Sequence, residues 1–258
     1  MNHPGVVRVK TSSMKLVLGL GTLVLMCAAI VSSEEFEEGK HYKIIEKQSE
    51  TQSDEETTAE DETSDETAES DTDDPDSANG ISVVEYFSYG CNHCYRLEPF
   101  IDTWMAEKDE DVTFSRVAAP TRTDWVPYAR AYYMAEALGI TEKVHDLIFR
   151  AIYVNKQQMD RPRQLKRMFV NVAEVEAEKF DAMWESDKIP DMVQKAAIEM
   201  RDLGISASPT IVVNGTYLIT PETAGDLGYI FDVVEFLVDK IKAEREADQT
   251  TDTNESTG

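Results

Sequence analysis

The run Val83-Val84-Glu85-Tyr86-Phe87-Ser88-Tyr89-Gly90-Cys91-Asn92-His93-Cys94 constrains the fold more than any other stretch of this chain. Residues 81 to 87 are a nearly continuous series of β-branched and aromatic side chains, the pattern of a strand buried on both faces. A Cys-x-x-Cys pair follows at once. After it, Tyr95, Leu97, Phe100, Ile101 and Trp104 recur at helical spacing, with Pro99 placed to bend the helix. A helix that begins at the pair sets the Cys91 sulfur against unpaired backbone N–H groups and the positive end of the helix dipole. The thiolate is favoured there, and Cys94, one turn inward, is expected to be the more buried thiol.

Other uses of the pair fit less well. A crosslink between Cys91 and Cys94 closes a very small loop and removes little entropy from the unfolded chain. A structural zinc site needs four ligands, and only the scattered His41, His93 and His145 are on offer. Covalent haem attachment needs a histidine directly after the second cysteine, where Tyr95 stands. Redox chemistry is the reading that remains, and it requires no metal or organic cofactor.

The first residues say where such chemistry would take place. Basic Arg8, Lys10 and Lys15 precede an apolar run from Leu16 to Val31 and then Ser32-Ser33, the three parts of an export signal. Residues 1–33 are therefore read as a signal peptide cut after Ser33 or, if retained, as a membrane anchor shorter than the usual span. Cys27 follows Met26, not the small residue of a lipoprotein signal, and is set aside. An exported chain meets a compartment in which disulfides form and persist.

The net charge of -25 is concentrated, since residues 49–80 hold fourteen Asp or Glu and no Lys or Arg. Nucleic acid and anionic membrane surfaces are excluded as partners on that balance. Residues 49–79 are expected to form a disordered acidic insertion, too poor in apolar surface to offset the entropy of ordering.

The remaining pattern places the elements. Residues 41–46 read as a short edge strand and 112–117 as a further strand. From about 125 to 203 the spacing is helical throughout, including Val144, Leu147, Ile148, Ala151 and Ile152, then Leu165, Met168, Phe169 and Val172, and later Met192, Val193, Ala196, Ile198 and Met200. Asn214-Gly215 between two apolar runs predicts a tight hairpin, because both residues tolerate positive φ. A last amphipathic helix uses Ile230 to Ile241, and residues 246–258 read as a disordered tail. The class is α/β: one domain over residues 34–48 and 80–245, its central sheet interrupted by an all-helical insertion. A Cys-x-x-Cys beside such a pattern is a thioredoxin-like redox motif.

Three more residues bear on the site. His93, between the cysteines, adds a positive charge when protonated and so favours the thiolate. Glu85 is a charge in an apolar strand, where it needs a partner such as Arg116 on the neighbouring strand or serves as a proton acceptor beneath the cysteines. Pro209 precedes a strand; it marks a strand start or forms a cis peptide bond packed against the cysteines, leaving backbone groups free to pair with a bound polypeptide.

With EEFEEGKHYKIIEK, VVEYFSYGCNHCYRLEPF, ALGITEKVHDLIFRAI and ISASPTIVVNGTYLI in view, the chain resembles the DsbA family of bacterial thiol:disulfide interchange proteins over residues 34 to 241, apart from the acidic stretch. The resemblance implies a thioredoxin fold with a helical insertion. It implies Cys91 as nucleophilic site, Cys94 as resolving cysteine, Pro209 as cis-proline and Glu85 as buried acid. Its implied partners are reduced, newly exported polypeptides in the periplasm and an inner-membrane quinone reductase of the DsbB type that restores the disulfide. Two residues depart from the family pattern: Asn92 stands where proline is common, in the dipeptide that tunes the thiolate, and Ser208 where an apolar residue is frequent, beside the expected substrate contact. The competing functions are a disulfide reductase or isomerase, a peptide-binding chaperone, and a metal carrier using the same groove. Isomerases usually carry a dimerisation module; none is found, and a monomer is expected.

Overall fold

The computed structural model describes residues 36–45 and 80–255, with side chains to residue 250. The expected export segment and the acidic insertion lie outside the described residues. Among the described residues, no helix is long and apolar enough to cross a membrane.

Among the described residues, five strands form one sheet. They are β1 (Lys43–Ile44), β2 (Ile81–Phe87), β3 (Val112–Ala118), β4 (Thr210–Val213) and β5 (Tyr217–Ile219), in the order β1-β5-β4-β2-β3. Strand β2 runs parallel to β3 and antiparallel to β4, while β5 is antiparallel to both β4 and β1. Thus β2 is interior, as its unbroken apolar run requires. Strand β1 precedes the acidic stretch in sequence yet completes the same sheet, so the acidic residues interrupt one folding unit.

The β4–β5 turn takes the expected form: Asn214 and Gly215 have φ of 51° and 62°, and Thr216 N–H donates to the Val213 carbonyl at 3.0 Å. Both positive φ values match the right-handed twist of the flanking strands.

Helix α1 (Asn92–Glu107) follows β2, and α8 (Ile230–Glu255) closes the chain. Together they cover one face of the sheet, where Leu97, Ile101, Trp104, Val234, Leu237 and Val238 pack on Ile81, Val83, Ile211 and Ile219. The indole of Trp104 stacks on Phe231 with centroids 5.0 Å apart. Phe100, on the outer side of α1, is instead exposed.

Five helices separate β3 from β4 where the insertion was expected: α2 (Val126–Ala137), α3 (Thr141–Tyr153), α4 (Pro162–Asn171), α5 (Ala177–Glu185) and α6 (Lys188–Asp202). Met200 and Ile205 meet Tyr86 and Val212 on the second face of the sheet. The other insertion helices gather a separate core around Met134, Ile148, Phe149, Phe169 and Phe180. On these helices Val172 and Ile198, which share the helical spacing of buried neighbours, face outward. A short helix, α7 (Pro221–Ala224), capped by Thr220, follows β5.

One boundary is corrected. A tail disordered from residue 246 was expected, but α8 continues to Glu255. Polarity excludes a buried face, not a helix: Lys242 to Ala247 are strong helix formers, and Lys240 pairs with Glu244 one turn on at 2.6 Å. Lys242 also reaches Asp109 and Asp111, at 2.6 and 3.0 Å, and Arg245 reaches the Gly80 carbonyl at 3.3 Å, so tertiary contacts hold the helix as far as Arg245, from which it runs on.

Candidate active site

The chain leaves β2 through Ser88-Tyr89-Gly90, a turn in which Cys91 N–H donates to the Ser88 carbonyl at 2.9 Å. Gly90 is required by close approach: a Cβ there would lie 2.6 Å from Nε1 of Trp125, which covers the turn from the start of the insertion. The turn delivers Cys91 to the N-cap of α1, with its sulfur accepting the Cys94 N–H at 3.4 Å. A sulfur thus stands where a Ser or Asp oxygen usually satisfies a free helix N–H.

Both cysteines are thiols in this structure, and their environments separate them. The Cys91 thiol is lowered from 9.0 to about 6, first by the Cys94 thiol directed at it and then, against the cost of burial, by the Cys94 N–H, Ser208 and the His93 N–H. At pH 7 such a group is about nine-tenths thiolate. Burial pushes Cys94, wholly inaccessible, well above 9.0, and Cys91 and Glu85 push it the same way.

The Ser208–Pro209 peptide bond is cis, and the Ser208 carbonyl lies 3.2 Å from the Cys91 sulfur. Ser208 therefore meets Cys91 in two ways. Its carbonyl accepts from the thiol, and its side chain favours the thiolate, its buried hydroxyl making no hydrogen bond among the described residues. Beside it a groove of about 480 Å³ is lined by His93, Arg96, Ser208, Pro209 and Leu227. The His93 imidazole is exposed on this groove; its contribution to Cys91 comes through its backbone N–H.

Glu85 has the expected partner on the neighbouring strand. Its Oε2 accepts from Arg116 Nε at 3.0 Å, directly across the β2–β3 register. Its carboxyl is nevertheless raised from 4.5 to about 8, because complete burial and the nearby Glu98 carboxylate outweigh the guanidinium. Oε1 has no hydrogen-bond partner among the described residues. Arg116 also donates to Glu98 Oε2 at 3.1 Å, and Glu98 Oε1 lies 3.3 Å from Nε2 of His145 on α3.

The structure thus brings Cys91, Cys94, Ser208 and Pro209 together around one sulfur, with His93 on the rim and Glu85 behind. Sequence reasoning missed Glu98, His145, Tyr89 and Trp125. His145 carried a signal, for it shares the spacing 145, 148, 149, 152 with the apolar face of α3.

A sheet of this topology, with a Cys-x-x-Cys at the first helix and a cis-proline facing it, defines a thioredoxin-class redox protein. Residues 75–232 match the thioredoxin family. The chain is 33% identical over 165 residues to the thiol:disulfide interchange protein DsbA of Burkholderia cepacia, a match covering 64% of this chain and 77% of that protein. Against DsbA of Pseudomonas aeruginosa strain PAO1 it is 31% identical over 163 residues, covering 63% and 77%. The crystal structure of Pseudomonas aeruginosa DsbA superposes with a TM-score of 0.64 at 25% identity, over 82% of this chain and 97% of that one. The chain belongs to the DsbA family of thioredoxin-like thiol-disulfide oxidoreductases.

Proposed function

We propose that this protein is a periplasmic dithiol oxidase that passes a Cys91–Cys94 disulfide to newly exported polypeptides. The observation that carries this reading is the low pKa of Cys91, about 6, beside a Cys94 held well above 9.0. Stabilising one thiolate stabilises the dithiol form, which makes the disulfide form the stronger oxidant.

A substrate thiolate attacks Cys91 Sγ in the oxidised enzyme, and the Cys91–Cys94 bond breaks with its electron pair leaving on Cys94. A mixed disulfide between substrate and Cys91 results. A second substrate thiolate then attacks the substrate sulfur of that bond, releasing Cys91 as the thiolate that its surroundings favour. The substrate leaves oxidised by two electrons and the enzyme leaves as the dithiol. Cys94, inaccessible to solvent, takes up a proton, and Glu85 is the carboxyl behind the pair that holds one near neutrality. His93, when protonated, adds a positive charge at the groove rim.

The extended substrate lies in the groove beside Pro209, with Ser208 at its edge, using main-chain pairing that accepts many sequences. The enzyme acts as a monomer, and a DsbB-type inner-membrane quinone reductase restores the disulfide. No metal or organic cofactor takes part. Export depends on the N-terminal segment, residues 1–33, and the acidic insertion of residues 49–79 serves as a solvated spacer.

Equilibration of the Cys91/Cys94 pair in glutathione buffers tests the direction of electron flow. A potential well above that of thioredoxin, about -270 mV, is expected; a value near it would overturn the oxidase reading.

A further inference from the structure

Five polar side chains from five parts of the fold meet behind the cysteines: Glu85 on β2, Arg116 on β3, Glu98 on α1, His145 on α3 and Tyr89 in the turn before Cys91. Arg116 bridges the two carboxylates at 3.0 and 3.1 Å. His145 is 8% exposed; its Nε2 lies 3.3 Å from Glu98 Oε1 and its Nδ1 3.0 Å from the Tyr89 hydroxyl. Its other neighbours are rings: Phe87, Phe149 and, at 6.5 Å, Tyr132 of α2. Glu142 and Asp146 of its own helix point to solvent.

The charges of this cluster do not balance without a further proton. Two carboxylates against one guanidinium leave one negative charge, in a region where an uncompensated charge is costly. A proton on Glu85 removes it, and so does a second proton on His145. The imidazole is built to carry either state. Tyr89 O–H donates to a neutral Nδ1 and its oxygen accepts from a protonated one, while Nε2 lies 3.3 Å from Glu98 Oε1, within ion-pair distance but not aligned for a hydrogen bond. The Tyr89 contact serves both states, and the Glu98 carboxylate stands nearest the ring when the second proton is present.

We propose that His145 is a positioning residue of the redox site, the second cation of a two-carboxylate, two-cation cluster that sets when Glu85 is ionised and thereby the protonation of Cys94. This rests on the thiol-disulfide reading of Cys91 and Cys94, and it gives the helical insertion a part in the chemistry. The electrostatic link to the sulfurs is in place: Glu85 raises Cys94, and Cys91 raises Glu85. A charge on α3 therefore reaches the resolving thiol through Glu98, Arg116 and Glu85.

The reduction potential of the intact protein, followed against pH, tests this through two variants of opposite sign. In His145→Gln the cluster loses a cation, so the inflection belonging to Glu85 moves up by about one pH unit, the scale of a nearby opposite charge. In Glu98→Gln it loses an anion, and the same inflection moves down. Profiles that coincide with the unaltered protein in both variants would overturn the proposal. Should His145→Gln fail to fold, His145→Asn and the Glu98→Gln profile decide: inflections that stay where the unaltered protein has them count against the cluster. These outcomes are differences between variants, so they stand apart from the oxidase assignment. A thioredoxin-like potential in the unaltered protein would overturn the oxidase reading alone.

Discussion

At its N-terminal end β2 sets Ile81 and Val83, both fully buried, against a core that includes Leu97, Val234 and Leu237; two residues on, the same face of the same strand carries Glu85, equally buried, beside Arg116 and Glu98. The first environment is apolar and has one state at every pH. The second holds several ionisable groups, among them a carboxyl raised to about 8. A strand can be continuous in hydrogen bonding and in burial yet divide its work, one end serving stability and the other reactivity.

The sharpest way to break this contrast is at the sulfur. Cys91→Ser should abolish disulfide transfer to a reduced model protein while the thermal midpoint changes little. Residual turnover would mean that the chemistry lies elsewhere. At the apolar end, Leu237→Ala removes a fully buried side chain and should cost about 3 kcal/mol in urea unfolding, with the reduction potential unmoved.

Glu85→Gln should do the reverse and stabilise the protein, by about 2 kcal/mol at pH 7, while slowing disulfide exchange. The carboxyl is raised from 4.5 to about 8, so the folded protein holds a proton that the unfolded chain releases. The stability this gives is full below about pH 4.5 and is lost as pH rises through about 8. The gain of the Gln variant is accordingly absent in acid, grows across that window and levels off above it. A variant less stable than the parent at pH 8 would show that the Arg116 ion pair outweighs the burial cost.

The smallest effect comes from Cys91 itself, where the sign is opposite. Its lowered pKa stabilises the reduced protein fully above about pH 9, and this contribution disappears as pH falls through about 6. At pH 7 about 1 kcal/mol of it remains. Ultraviolet absorbance of the thiolate should titrate in the same window as reduced-state stability measured against Cys91→Ser.

Much of this molecule is local and therefore legible. The β2 run, the start of α1 at the cysteines, the Asn214-Gly215 hairpin and the helical stretch between β3 and β4 each follow from short-range periodicity or turn chemistry. Glu85 was legible as an anomaly, a charge inside an apolar strand, and Arg116 as its partner once β2 and β3 were taken as neighbours. Glu98 and His145 were not legible as a pair. Each looks ordinary on its own helix, and the 3.3 Å between them depends on how α3 packs against α1. Val172, Ile198 and Phe100 show the converse, since helical spacing marks a face but not whether another element covers it.

By itself the sequence determined a thioredoxin-like redox chain, with its reactive pair at the start of a helix after a buried strand, because those features are set by residues close together along the backbone. Only the tertiary structure decided that Ser208 and cis-Pro209 meet Cys91 and that His145 joins the charges behind Cys94. Those contacts join residues far apart in sequence, and burial and Coulomb interactions depend on distance in space, which no local pattern records.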